Sequence, residues 1–123
     1  VWADCIAASD PVSRAWFTKT QTSLFAWSSQ ARGFFTERAE RRDDPSLVRC
    51  WFADDNFARR QRAYELAAKR GVAPINIALA YVLRQPFPTF ALIGPRTLDE
   101  FHSSLPALGV ELTPEELRWL NLE

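Results

Sequence analysis

Thr89-Phe90-Ala91-Leu92-Ile93-Gly94-Pro95-Arg96-Thr97-Leu98-Asp99-Glu100 is the stretch on which the fold turns. Its apolar opening predicts a short buried strand, about residues 90–93, and Gly94-Pro95 punctuates it. Thr97 followed three positions later by Glu100 is a capping-box signature, so a helix begins at once. Leu98, Phe101, Leu105 and Leu108 continue an apolar face on that helix. A capped helix that starts within three residues of a strand points its N-terminus out of the strand's carboxyl end, where an anion is favoured. Arg96 adds a planar cation suited to a bidentate phosphate contact. The same residues also make an ordinary βα turn with an exposed Arg.

Working outward, Ser23-Leu24-Phe25-Ala26-Trp27-Ser28 is a second apolar run ending in small polar residues. It predicts a buried strand over about 24–29. Trp27 at its end presents a ring to a flat ligand, and the following hydroxyls reach a pyrophosphate; a core Trp with a Ser-rich turn is the plainer alternative. Residues 33–56 show no period and carry a dense charge mix from Glu37 to Asp44, which predicts a long loop. Asp54 or Asp55 then caps a helix over about 57–70, which Gly71 stops. Pro74 opens another helix, with Ile75, Ala78, Leu79, Val82 and Leu83 as its apolar stripe, and Pro86 and Pro88 end it. Thr113-Pro114-Glu115-Glu116 is a second capping box, with Leu117 and Leu120 facing inward. Near the start, Ser9-Asp10-Pro11 opens a short helix.

The order is helix, strand, loop, two helices, strand, two helices. That is an α/β pattern, helix-rich, with two parallel strands. Parallel strands want both faces and both edges covered, so a sheet of two is incomplete on physical grounds.

A chain of 123 residues suffices for one domain. Fifteen basic residues balance fifteen acidic ones, so no nucleic-acid partner is expected. No apolar run approaches the ~20 residues of a membrane span, so no membrane partner is expected either. Cys5, Cys50 and His102 fall one short of a structural zinc set, and no metal site is expected. Signal-peptide features are lacking at Val1, which favours reduced thiols and a cytoplasmic location over a Cys5–Cys50 bridge. Val1 is not a start Met and the chain contains no Met at all, so the expectation is that the sequence begins inside a longer reading frame or follows a lost Met. No dinucleotide fingerprint, Walker A, zincin or nucleophile-elbow motif occurs. His102 beside Ser103 and Ser104 is no triad, because adjacent helical residues do not face each other. Asp54-Asp55 and Glu115-Glu116 are better explained as helix-start charges than as catalytic pairs.

Four segments together resemble the C-terminal part of an aldo-keto reductase. They are FAWSSQARGFF (25–35), AAKRGVAPINIALAYVLRQP (67–86), IGPRTLDE (93–100) and LGVELTPEELRWLNL (108–122), in that family's order and spacing. The resemblance implies the C-terminal portion of a (β/α)8 TIM barrel, with residues 24–29 as its seventh strand and 90–93 as its eighth. It implies a nicotinamide cofactor, usually NADP(H), with NAD(H) also possible, at the carboxyl ends of the strands. Trp27 then stands where an aromatic stacks on the nicotinamide, and Ser28 where a Ser lies near the pyrophosphate. Residues 33–56 are similar to the loop that folds over the cofactor. Gly94, Pro95, Arg96 and Thr97 match the turn that holds the adenosine 2′-phosphate. Glu100 stands where a Gln or Arg packs on the adenosine, and Ser104 where an Asn reads the adenine. Glu100 departs by adding negative charge beside a phosphate site, and Ser104 is shorter than Asn.

The family's catalytic Asp, Tyr, Lys and His lie in the first half of the barrel, which has no counterpart here. Tyr64 and Tyr81 fall on predicted helices, so no catalytic residue is nominated and no carbonyl reduction by this chain alone is expected. The implied partners are the cofactor and either the remaining barrel half or a second copy of the chain. The alternative is a non-catalytic, self-associating α/β module that keeps the family scaffold.

Overall fold

Asp10 starts the first helix. Its carboxylate accepts from the amides of Val12 and Ser13 at 3.0 and 2.9 Å, and Pro11 occupies the first helical turn, where a missing N–H costs nothing. The computed structural model describes Ala8 and residues 10–123. Cys5, and with it any pairing to Cys50, lies outside the described residues, as does Ser9.

In chain order the elements are α1 (Pro11–Thr20), β1 (Leu24–Ala26), a 3-10 turn (Ala31–Gly33), α2 (Arg38–Arg41), α3 (Pro45–Trp51), α4 (Asp54–Arg70) and α5 (Pro74–Leu83). β2 (Thr89–Ala91), α6 (Leu98–Ser104), a second 3-10 segment (Leu105–Gly109) and α7 (Pro114–Leu120) follow. β1 and β2 pair in parallel, with Leu24 opposite Thr89, Phe25 opposite Phe90 and Ala26 opposite Ala91. The α/β reading with two parallel strands holds. Both strands are shorter than the predicted 24–29 and 90–93, because ladder bonding stops where Ser28 turns into the left-handed region and where Gly94-Pro95 follows.

The strands are also less buried than predicted. Side chains alternate across a sheet, so Leu24 and Ala26 face the helices while Phe25 and Phe90 face away. Phe25 is 62% exposed and Phe90 51%, their rings stacked at 4.9 Å.

Two apolar clusters organise the rest. In the larger, Ala63, Leu66 and Ala67 of α4 meet Ile77 and Ala80 of α5, with Val110, Leu112 and Leu120 closing over them. Gly71 ends α4 in the left-handed conformation, at φ 66°, and lets α5 turn back against it. Asp54 and Asp55 do not cap α4. Ala53 holds the cap position without a side-chain bond, and the two carboxylates sit in the first turn, where the helix dipole favours them. On α5, buried Asn76, Ile77 and Ala80 lie off the predicted stripe, while Ile75, Val82 and Leu83 are only half-buried. A helix flanked by α4, β2 and the 3-10 segment is covered on several sides, and a one-face pattern does not describe it. The face of Leu98, Phe101, Leu105 and Leu108 is exposed, Leu98 by 74%. Thr113 and Glu116 form the full reciprocal box predicted for α7.

The second cluster corrects the predicted loop. Residues 33–56 contain α2 and α3, and Ala31, Phe34, Ala39 and Leu47 are buried together there. Phe34 is fully buried, with Phe52 and Phe57 edge-on to it. No period marked this segment, because its helices are four and seven residues long and its core is assembled from turns. Arg60 of α4 pins it. Its guanidinium donates to the carbonyls of Phe34 and Thr36 at 3.0 and 3.2 Å and to the Glu40 carboxylate at 3.0 Å. No single helix among the described residues is long and apolar enough to cross a membrane.

Candidate functional site

The two strands finish side by side. The Leu92 amide donates to the Ala26 carbonyl at 2.9 Å, and the Ser29 hydroxyl donates to the Leu92 carbonyl at 3.0 Å. Parallel pairing therefore brings Trp27-Ser28-Ser29 and Gly94-Pro95-Arg96 to the same end of the sheet.

Trp27 is 80% exposed, so it is not a core residue, and its ring is open to a flat ligand. Ser28 is half-buried, at φ 52°. Ala31, Arg32 and Gly33 also have positive φ, a sharp and costly run for residues that carry a Cβ. It turns the chain off the end of β1 and into the second cluster.

Gly94, Pro95, Arg96 and Thr97 are exposed. A Cβ added to Gly94 would meet no atom within 4 Å, so the room there opens to the outside. The predicted capping box at Thr97 is only half made. The Thr97 hydroxyl accepts from the Glu100 amide at 3.2 Å, but the Glu100 carboxylate turns to Arg96, accepting from its amide at 2.6 Å and its guanidinium at 3.4 Å. The Arg96 amide foremost, then the Arg96 charge, holds the Glu100 carboxyl below its ordinary range. α6 spans only Leu98–Ser104, a helix of two turns.

Ser104 stands apart from the other predicted residues. It is 4% exposed, and its hydroxyl donates to the Glu100 carbonyl at 2.9 Å and accepts from the Gln30 amide at 2.8 Å. Both bonds are internal, so Ser104 joins the two halves of the site from beneath. Of the eight predicted residues, Trp27, Gly94, Pro95, Arg96, Thr97 and Glu100 lie exposed, Ser28 is half-buried and Ser104 is buried.

Sequence reasoning missed Arg38 and Arg41. With Asp43, Asp44, Pro45 and Arg96 they line a pocket of about 430 Å³. Arg38 pairs with Asp44 at 2.9 Å and Arg41 with Asp43 at 3.8 Å. Asp44 also caps α3, accepting from the amides of Ser46 and Leu47. The Leu47 amide leads in holding its carboxyl below the usual range, with Arg32 and Arg38 adding to it. With Glu100 on Arg96, three guanidiniums face three carboxylates, so a phosphate there has to displace a carboxylate. The signal was the charge run from Glu37 to Asp44, but nothing in its order showed which charges would face Arg96.

Tyr64 lies in α4, where its hydroxyl accepts from Arg60 at 2.9 Å, and Tyr81 lies in α5. Neither stands at a strand end.

The aldo/keto reductase family matches residues 15–121. Versiconal hemiacetal acetate reductase of Aspergillus parasiticus is 31% identical, over 80% of this chain and 31% of its own length. An uncharacterized oxidoreductase of Bacillus subtilis, YrpG, is 30% identical over the same shares. Norsolorinic acid reductase stcV of Emericella nidulans is 42% identical over 53 residues, 43% of this chain and 14% of the relative. The chain thus spans about a third of the length of the first two relatives.

Proposed function

From a chain that belongs to the aldo/keto reductase family, we propose a cofactor-holding role in NADP(H)-dependent carbonyl reduction or alcohol oxidation. The family has a TIM-barrel fold and generally uses nicotinamide cofactors. In this reading β1 and β2 are the seventh and eighth strands of such a barrel. The carrying observation is that one end of the sheet gathers an exposed aromatic, a glycine turn with open space above it, and an arginine-lined pocket. These suit in turn a flat ring, a close backbone approach and a phosphate.

Trp27 would take the nicotinamide face and Ser28 the pyrophosphate side. Gly94, Pro95 and Thr97 would border the adenosine phosphate, with Glu100 beside them and Ser104 beneath. Arg96, with Arg38 and Arg41, favours NADP(H) over NAD(H), because a 2′-phosphate adds two charges for guanidiniums to meet. The cofactor, once bound, supplies hydride chemistry. This chain's residues orient it and neutralise its charge. In this reading the proton-handling groups belong to the rest of the barrel, since both tyrosines described above are carried by helices. A cytoplasmic setting goes with this reading.

NADPH and NADH titrations followed by Trp fluorescence test it. NADPH is expected to quench saturably, and Trp27→Phe to remove most of the quench. Arg96→Ala should weaken NADPH about tenfold and leave NADH unchanged. Absence of saturable quenching at millimolar cofactor rejects the reading.

The exposed sheet face favours a second reading, a self-associating module. Phe25 and Phe90 stack on the outer face of the sheet, each more than half exposed, and Trp27 and Leu92 just past the strand ends are at least half exposed too. Isolated apolar residues are ordinary on a surface, but a stacked aromatic pair on an open sheet face suits a partner surface. The remaining barrel half or a second copy would supply it. Light scattering separates the readings: a monomer that stays monomeric at high concentration excludes self-association.

A further inference from the structure

Each guanidinium of the candidate site named so far already meets a carboxylate: Arg38 meets Asp44, Arg41 meets Asp43 and Arg96 meets Glu100. Arg32 differs. It is exposed, and its side chain forms no ion pair and no hydrogen bond among the described residues. It still acts on the site. After the Leu47 and Ser46 amides, the charge of Arg32 comes ahead of that of Arg38 in holding the Asp44 carboxyl below its usual range. Yet Arg32 does not line the pocket that Arg38, Arg41 and Arg96 share. It belongs instead to the turn that leaves β1, four residues past Ser28.

The backbone holds Arg32 there at a cost. Its φ of 53° and ψ of 28° lie in the left-handed region, which a residue with a Cβ disfavours. The turn enforces that conformation. The Ala31 amide donates to the Ser28 carbonyl at 2.7 Å, the Gly33 amide to the Gln30 carbonyl at 3.0 Å and the Phe34 amide to the Ala31 carbonyl at 3.0 Å. Ala31 and Phe34 are buried on either side. Glycine would take the same conformation freely. Strained residues concentrate at ligand sites, and here the strained residue is an exposed, unpaired cation.

We propose that Arg32 binds the pyrophosphate of the cofactor. The proposal rests on the cofactor reading and adds a residue to it. A phosphate that enters between Arg38, Arg41 and Arg96 has to displace a carboxylate, whereas one that meets Arg32 displaces nothing. Arg32 shares the β1 turn with Ser28, on the pyrophosphate side, and Arg96 sits on the β2 turn with the 2′-phosphate. NADPH and NADH have the pyrophosphate in common, so Arg32 supports affinity for both and does not discriminate between them.

Trp-fluorescence titrations of the full chain with NADPH and NADH, joined to urea unfolding, test this. Arg32→Ala is expected to weaken both cofactors about tenfold and by the same factor. Arg32→Lys keeps the charge but not the fork, and should weaken both about two- to fivefold. Arg32→Gly should weaken binding as Ala does while leaving the urea midpoint unchanged or higher, since glycine relieves the strain. Lys69→Ala, which removes one exposed positive charge from the last turn of α4, should leave both affinities unchanged. Unaltered affinities in Arg32→Ala overturn the proposal and leave the cofactor reading standing. So does a loss confined to NADPH, which would put Arg32 on the 2′-phosphate. An equal loss in Lys69→Ala would make net charge the cause, and a lowered urea midpoint in Arg32→Gly would make Arg32 a structural part of the turn; either overturns it too. If the unaltered chain shows no saturable quenching, the cofactor reading fails and this proposal fails with it.

Discussion

Gln30 donates its side-chain amide to the Ser104 hydroxyl at 2.8 Å across 74 positions of sequence. This bond ties the turn after β1 to the end of α6. Ser104→Ala would leave the Gln30 amide partly buried and unpaired, at a cost of about 1–2 kcal/mol. Urea unfolding should show that loss. Gln30→Ala in the Ser104→Ala background should cost little more, because the partner is already gone.

Glu100 competes with any phosphate for Arg96. Their contact is exposed, so removing it changes charge more than stability. Glu100→Gln is expected to tighten NADPH about two- to fivefold at low salt, leave NADH unchanged and lose the gain at high salt. An equal change for both cofactors would show that the carboxylate does not act through Arg96.

Asp44 and Glu100 are both held below their ordinary ranges in the folded protein, chiefly by the Leu47 and Arg96 amides respectively. In the acid range the unfolded chain therefore binds more protons than the folded one. Stability from these groups is complete above their unfolded values and is lost as pH falls through the lowered folded values. Urea midpoints should drop between about pH 6 and pH 3. Asp44→Asn should flatten that drop as well as lowering the midpoint at neutral pH.

Two glycines should respond differently to a methyl group. Gly71 sits at φ 66°, so Gly71→Ala should cost about 1 kcal/mol despite open space around it. Gly94 needs no such conformation and has nothing within 4 Å, so Gly94→Ala should leave stability within about 0.5 kcal/mol. If the cofactor's phosphate approaches there, the same substitution weakens NADPH binding. Paired unfolding and binding measurements on both variants check this.

Phe34 anchors the second cluster. Phe34→Ala should cost about 3–5 kcal/mol by chemical denaturation. It should also loosen the segment carrying Arg38 and Arg41 and so weaken NADPH binding. Unchanged hydrogen exchange over residues 34–52 would show that the cluster does not hold that segment.

Much of this was legible in local chemistry. Pro11, Gly71, Pro74 and the Thr113–Glu116 box act within one helical turn, so residue type and spacing sufficed to place them. Trp27 and the Gly94-Pro95-Arg96 turn stood out for the same reason: each lies where a strand ends. What stayed hidden depends on contacts between distant segments. Residues 31–57 fold around Phe34 and are pinned by Arg60, and neither effect leaves a period in the chain. Arg38 and Arg41 join Arg96 only because that segment is packed where it is. The Leu98, Phe101, Leu105 and Leu108 face is periodic yet exposed, because periodicity names a face and only a neighbour buries it. By itself the sequence determined the two strands, the longer helices, the caps at Asp10 and Thr113 and the family, all carried by neighbouring residues. The tertiary structure alone decided which charges converge and that Ser104 is an internal strut, since burial and pairing belong to the folded arrangement of the chain.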